Sequence, residues 1–140
     1  MILNVKKLHP EAKLPSYAHP GDAGMDICAL EETILSPGKP VRVKTGVAVH
    51  IPEGYVGLCW DRSGLSTNHA LKTLGGVIDS GYRGEVMVGM INLGDTAYTI
   101  GSGDRIAQML IQKVEAPEIV EVPELSETSR GEGGFGSTGK

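Results

Sequence analysis

Apolar residues along this chain recur at alternate positions in short runs broken by proline and glycine, the pattern of half-buried strands joined by tight turns. Residues 2–7 open as a strand. Val41 and Val43 alternate with Arg42 and Lys44, and after Thr45-Gly46 the side chains of Val47, Val49 and Ile51 share a face. Pro52-Glu53-Gly54 is expected to fold that strand back as a hairpin into residues 55–60, with Val56, Leu58 and Trp60 on one side. A second hairpin is expected further on. Val77 and Ile78 read as the end of a buried strand, Asp79-Ser80-Gly81 as a tight reversal, and residues 85–92 as the returning strand. Residues 96–100 form another strand, 101–104 a turn, and 105–111 a strand apolar on both faces, as a central core strand is. Residues 66–72 are the one short helix. These elements predict an all-β fold of the sandwich, barrel or jelly-roll kind.

The pattern changes near residue 116. Pro117, Pro123 and a run of glutamates lead into a glycine-rich end with the chain's only phenylalanine, Phe135. This divides the chain into a core over residues 1–115 and an arm over 116–140, whose glycine-rich part, 130–139, is expected to order as a lid over a ligand. Residues 134–140 spell G-x-x-x-x-G-K, but a phosphate-binding loop of that type needs a strand before it and a helix after it, and the sequence has neither.

Composition narrows the function. The chain has 140 residues, enough for one domain with a real core, and its 13 Lys and Arg against 17 Asp and Glu leave a net charge of -4. That balance disfavours a nucleic-acid polymer as partner but allows a small anion held by a few local arginines. Cys28 and Cys59 flank no C-x-x-C and read as reduced thiols, and the four histidines have no zinc-ligand spacing. With no signal-peptide or membrane-span pattern, the protein is expected to be soluble and cytoplasmic.

Several residues carry candidate chemistry, each with a plain structural reading beside it. Asp79 either closes its own turn or presents a carboxylate beside the ring of Tyr82. Asp26 lies between apolar neighbours at a strand edge. Ser63 and Gly64 follow Arg62 at the start of the short helix, either as a simple cap or as a cradle for an anion. Gln108, an amide in an apolar strand, bonds either neighbouring backbone or a ligand.

Five stretches, residues 23–29, 62–65, 76–85, 103–108 and 130–139, resemble in kind, order and spacing the five motifs of the homotrimeric dUTP pyrophosphatases (dUTPases), and the resemblance spans the chain. It implies a jelly-roll-like β-clip, a homotrimer with the C-terminal arm exchanged between subunits, and three active sites between subunits. The implied reaction is dUTP plus water giving dUMP and pyrophosphate, with Mg2+ on the triphosphate. By resemblance, Asp79 holds the deoxyribose 3'-hydroxyl and activates the attacking water, while Tyr82 packs on the sugar. Main chain at Gly76, Val77, Ile78 and Met87 reads uracil. Arg62, Ser63, Gly64 and Gln108 hold phosphates, Asp26 orients a water on Mg2+, and Arg130, Phe135, Gly136 and Ser137 close the site, with Phe135 stacked on the base. Three positions depart from the family pattern: Asp61 replaces a common proline, Met25 a tyrosine, and Gly81 a second aspartate.

The alternatives are a dCTP deaminase of the same fold, possibly bifunctional, and a non-catalytic nucleotide-binding regulator. The deaminases use a glutamate three residues before the strand's asparagine, and here that position, three before Asn92, is Gly89.

Overall fold

The computed structural model describes residues 1–134. Among the described residues eleven strands and one helix follow one another as β1 (Asn4–Lys7), β2 (Met25–Cys28), β3 (Thr33–Leu35), β4 (Val41–Lys44), β5 (Val47–His50), β6 (Tyr55–Trp60), α1 (Ser63–His69), β7 (Leu71–Leu74), β8 (Val77–Ile78), β9 (Met87–Asn92), β10 (Tyr98–Ile100) and β11 (Arg105–Lys113). They form a four-stranded sheet ordered β2-β11-β6-β8, a three-stranded sheet ordered β4-β9-β7, and two-stranded pairs β1-β5 and β10-β3. Every ladder is antiparallel.

The alternation along the chain does what it predicts. One face of each larger strand enters a common core: Ile27 from β2, Val43 from β4, Val47 from β5, Val88 and Met90 from β9, Ile106 and Met109 from β11. β11 lies between β2 and β6 and is buried at successive residues Ile106 and Ala107, as the sequence requires of a central strand.

Two expected hairpins are corrected. The reversals form, with the amide of Tyr55 donating to the Pro52 carbonyl at 3.1 Å and that of Tyr82 to the Asp79 carbonyl at 3.0 Å. The strands they join do not pair. β5 leaves to pair with β1, while β6 runs beside β11 from Tyr55 to Trp60 and takes β8 on its other edge. Likewise β8 pairs with β6, whereas β9 lies between β4 and β7. A strand has two edges, and here both edges of β6 and β9 are taken by partners distant in sequence, which leaves none for the local neighbour.

Burial differs too. Val77 is 68% exposed, because β8 is an edge strand and Val77 stands beside Leu58 on the less buried face of its sheet. The side shared by Val56, Leu58 and Trp60 is that same face, and Cys59 is the β6 residue that enters the core cluster. The helix begins three residues earlier than the sequence suggests, at Ser63, and stops where Ala70 adopts a left-handed φ of 53°. From Val114 to Gly134 there is no further strand or helix, and the side chains of Ile119 and Leu125 are 95% and 87% exposed. No helix among the described residues is long and apolar enough to cross a membrane.

Candidate functional site

Two separate clefts gather the candidate residues. The first, of about 240 Å³, lies where β8 leads into the reversal at Asp79 and takes one wall from the start of β9. Gly76, Val77, Ile78, Asp79, Tyr82 and Met87 all line it. Its inner wall is built from main chain. Gly76 holds a φ of +107°, accepts a hydrogen bond on its carbonyl oxygen from the Cys59 amide at 2.8 Å, and has no room for a side chain, since a Cβ would stand 2.6 Å from the Cys59 carbonyl oxygen. A wall of this kind presents amide and carbonyl groups whose positions side-chain motion cannot change.

The loop carrying Asp79 is tied down at its far end. The Tyr82 hydroxyl donates to the Glu85 carbonyl at 2.9 Å, which folds the ring back over its own loop. That fold depends on Gly84, because a Cβ there would meet the Tyr82 ring at 2.6 Å from Cζ. Glu85 itself accepts hydrogen bonds from the amides of Thr45 at 3.2 Å and Gly46 at 2.8 Å, and the Val86 amide donates to the Val47 carbonyl at 2.8 Å. The carboxylate of Asp79 therefore projects from a loop fixed on the β4–β5 turn.

The second cleft, of about 660 Å³, collects Asp26, Arg62, Ser63, Gly64, Arg105 and Gln108. Register explains this grouping: on β11, Gln108 stands opposite Asp26 of β2 and Trp60 of β6, so the start of α1 follows at once beside it. Asp26 lies between two guanidinium groups. Its oxygens pair with Arg62 Nε and Arg105 Nη1, each at 3.1 Å, and Arg62 also donates to the Arg105 carbonyl at 3.2 Å. With two cations around one anion, the cluster carries a local positive charge held in a fixed orientation, which suits a polyanion. Gln108 uses its amide nitrogen on the Asp61 carbonyl at 2.9 Å, the backbone bond that was one of its two sequence readings. Ser63 is not the cap: Arg62 holds the cap position and makes no side-chain cap hydrogen bond, while the Ser63 carbonyl accepts the hydroxyls of Ser66 at 3.1 Å and Thr67 at 2.6 Å.

No cluster of three or more His, Cys, Asp or Glu occurs among the described residues, so they form no cage for a bare cation. Asp26 still fits a supporting role toward Mg2+. Each carboxylate oxygen spends one lone pair on an arginine and keeps another for a metal-held water.

The remaining candidates lie elsewhere. Arg130 lines neither cleft and donates from Nε to the Gly133 carbonyl at 2.8 Å, within the arm. Phe135, Gly136 and Ser137 lie outside the described residues. Sequence reasoning passed over Arg105, Glu85 and Thr45. Arg105 lies within a stretch that was singled out and could have been found there, but the Glu85 contact with a turn 39 residues away had no local signal.

A family model described as dUTPase matches residues 10–139. The chain belongs to the dUTPase family. It is 50% identical to the deoxyuridine 5'-triphosphate nucleotidohydrolase of Mycolicibacterium gilvum, a match that covers 98% of this chain and 94% of that one. It is 48% identical to the protein of the same name from Clostridium kluyveri, over 99% of each. Among solved structures, a point mutant of the Staphylococcus bacteriophage 80alpha dUTPase with dUpNHpp superposes with a TM-score of 0.94 at 36% identity, covering 99% of both chains. A dUTPase from phage phi11 of S. aureus, solved for its coordination of a structural Mg(II) ion, gives 0.83 at 34% identity over 89% of this chain and 98% of that one. The fold is accordingly the jelly-roll-like β-clip of the dUTPases.

Membership in the dUTPase family agrees with one detail of the first cleft. Gly89, where the related deaminases carry a glutamate, lines that cleft, and a Cβ on it would stand 2.8 Å from the Leu74 carbonyl oxygen. A side chain at this position would require the β7–β9 ladder to shift, and the chain has none.

Burial pushes the Cys59 thiol up to about 11, which keeps it protonated and inert against the wall of the first cleft. Cys28 is also raised, by burial first, with Lys13, Arg105 and Arg62 opposing and Asp26 reinforcing the shift.

Proposed function

We propose that the chain hydrolyses dUTP to dUMP and pyrophosphate by attack of water on the α-phosphorus, which lowers dUTP and supplies dUMP for thymidylate synthesis. The observation that carries this reading is the division of labour between the clefts in a dUTPase-family chain. One is a main-chain pocket with a single projecting carboxylate, and the other is an arginine cluster. In this reading uracil enters the first cleft against Gly76, Val77, Ile78 and Met87, where tight backbone excludes a 5-methyl group, and Tyr82 lies on the sugar. Asp79 holds the 3'-hydroxyl and takes the proton of the attacking water. Arg62, Ser63, Gly64 and Gln108 hold the phosphates. Carboxylates are weak bases, so placement and charge neutralisation supply most of the rate. Mg2+ on the triphosphate would withdraw negative charge from the phosphates, with Asp26 orienting a water of its shell.

The two clefts are separate on one chain, which supports a homotrimer whose sites join the first cleft of one subunit to the second cleft of another. The exposed apolar side chains of the arm, among them Ile119, Val120 and Leu125, support an arm exchanged to a third subunit, where Arg130, Phe135, Gly136 and Ser137 close the site. The division into a core over 1–115 and an arm over 116–140 with a lid over 130–139 belongs to the same reading, as does a cytoplasmic location.

Hydrolysis in 18O-labelled water tests the reaction directly. Products dUMP and pyrophosphate, with the label in dUMP, are expected. Label in pyrophosphate, dUDP plus phosphate, or ammonia released from dCTP would each overturn the proposal.

Gly84 offers a sharper probe of the first cleft. Gly84→Ala must displace the Tyr82 ring, and a sugar held about 1 Å out of place costs on the order of 10- to 100-fold in kcat/KM. The expected result is that loss with an unchanged melting temperature, since Tyr82 is 44% exposed and contributes little to the core.

A further inference from the structure

Asp61 ends the connection from β6 into α1, and its bonds reach across to β7. Its carboxylate accepts the Thr73 amide at 2.6 Å and the Thr73 hydroxyl at 2.7 Å, and it pairs with Lys72 Nζ. Its carbonyl accepts Gln108 Nε2 at 2.9 Å. Because α1 has no buried residue and no side-chain cap, these bonds share the anchoring of the segment with those of Arg62 to Asp26 and to the Arg105 carbonyl and with Leu65, which packs against the core. Thr73 lines the first cleft and Asp61 the second, so the bond between them is the partition between the two. A second tie, from the Cys59 amide to the Gly76 carbonyl at 2.8 Å, runs alongside it.

We infer that Asp61 is a positioning residue: through Thr73 it fixes the Arg62–Gly64 turn, and with it the phosphate-binding cleft, on the β7 edge of its own subunit. The inference rests on the proposed reaction for its functional meaning. The Thr73 bonds carry most of the effect. Lys72 is 48% exposed, and an ion pair so open to solvent is screened. Burial raises the Asp61 carboxyl, but the bonds from Lys72 and Thr73 and the Lys72 charge outweigh it and hold the group below the usual carboxylate range, so the tether is ionised near neutral pH.

The test uses full-length wild type, Asp61→Ala, Asp61→Asn and Lys72→Ala, with three measurements: dUTP kinetics, the affinities of α,β-imido-dUTP and of deoxyuridine, and amide exchange over residues 62–66. Asp61→Ala is expected to lower kcat/KM and imido-dUTP affinity about tenfold, to leave deoxyuridine affinity within about twofold, and to speed exchange at 62–66. Asp61→Asn keeps an acceptor for Thr73 and recovers most of the loss, and Lys72→Ala changes the affinities less than about twofold. Should Asp61→Ala fail to fold, Thr73→Val removes the hydroxyl bond alone and carries the test, with a smaller loss in the same direction. Unchanged imido-dUTP affinity well below the melting temperature overturns the inference, and so does an equal loss of deoxyuridine affinity, which marks general loosening. Exchange reports the tether without turnover, so a wild type inert toward dUTP would sink the proposed reaction while leaving the positioning role intact.

Discussion

Asp79→Asn is expected to lower kcat for dUTP by about 10²- to 10⁴-fold, the range that a positioned general base contributes, while imido-dUTP binds with nearly wild-type affinity. Asparagine has the shape of aspartate and can still bond a sugar hydroxyl, but its amide cannot take a proton from water. The scaffold tolerates the change. The reversal at Asp79 is closed by its own carbonyl, which accepts the Tyr82 amide at 3.0 Å, and the far end of the loop is held by Glu85 on Thr45 and Gly46. Among the described residues no hydrogen bond uses the Asp79 carboxylate, so its replacement there leaves no buried group unpaired. Steady-state kinetics beside calorimetric binding of the imido analogue distinguish the roles. A fall in affinity that matches the fall in kcat/KM would place Asp79 in binding alone.

Removing residues 130–140 is expected to have the other large effect, a loss of about 10²-fold or more in kcat/KM, with the melting temperature within about 2 °C of wild type. The stability half of this expectation follows from burial. Among the described residues the buried core ends at Met109, with Ile111 packed against it, and the hydrogen bonds of the segment 130–134 are local, such as Arg130 to Gly133. The catalytic half follows from charge. The arginine cleft of the core is already partly neutralised by Asp26, so a triphosphate needs further cations at its far end, and in the proposed closure the arm's Arg130 supplies one. Under the proposed closure of the arm over the triphosphate, the truncated protein is expected to lose discrimination between dUTP and dUMP as well as rate. A truncated protein with full activity would withdraw the lid assignment. One that unfolds would show instead that the arm stabilises the assembly.

The sequence by itself determined a good deal. Period-two alternation marked which residues of β9 and β11 face inward, and Val86, Val88, Met90 and Met109 are all buried as it requires. Glycine and proline located the reversals at 52–55 and 79–82. Side-chain chemistry in five spaced stretches was enough to place the chain in the dUTPase family.

Only the tertiary structure decided which strand pairs with which. Alternation records the faces of a strand and says nothing of its edges, so two sound turns looked like hairpins until β6 and β9 were seen with both edges filled from afar. For the same reason Val77, apolar and next to Ile78, came out exposed on an edge strand. The grouping of Asp26 with Arg62 and Arg105, the hold of Glu85 on a distant turn and the tether from Asp61 to Thr73 are all contacts between segments that the chain brings together only on folding. Local pattern cannot encode such contacts because their energy depends on register across ladders, and register is settled by the whole core at once.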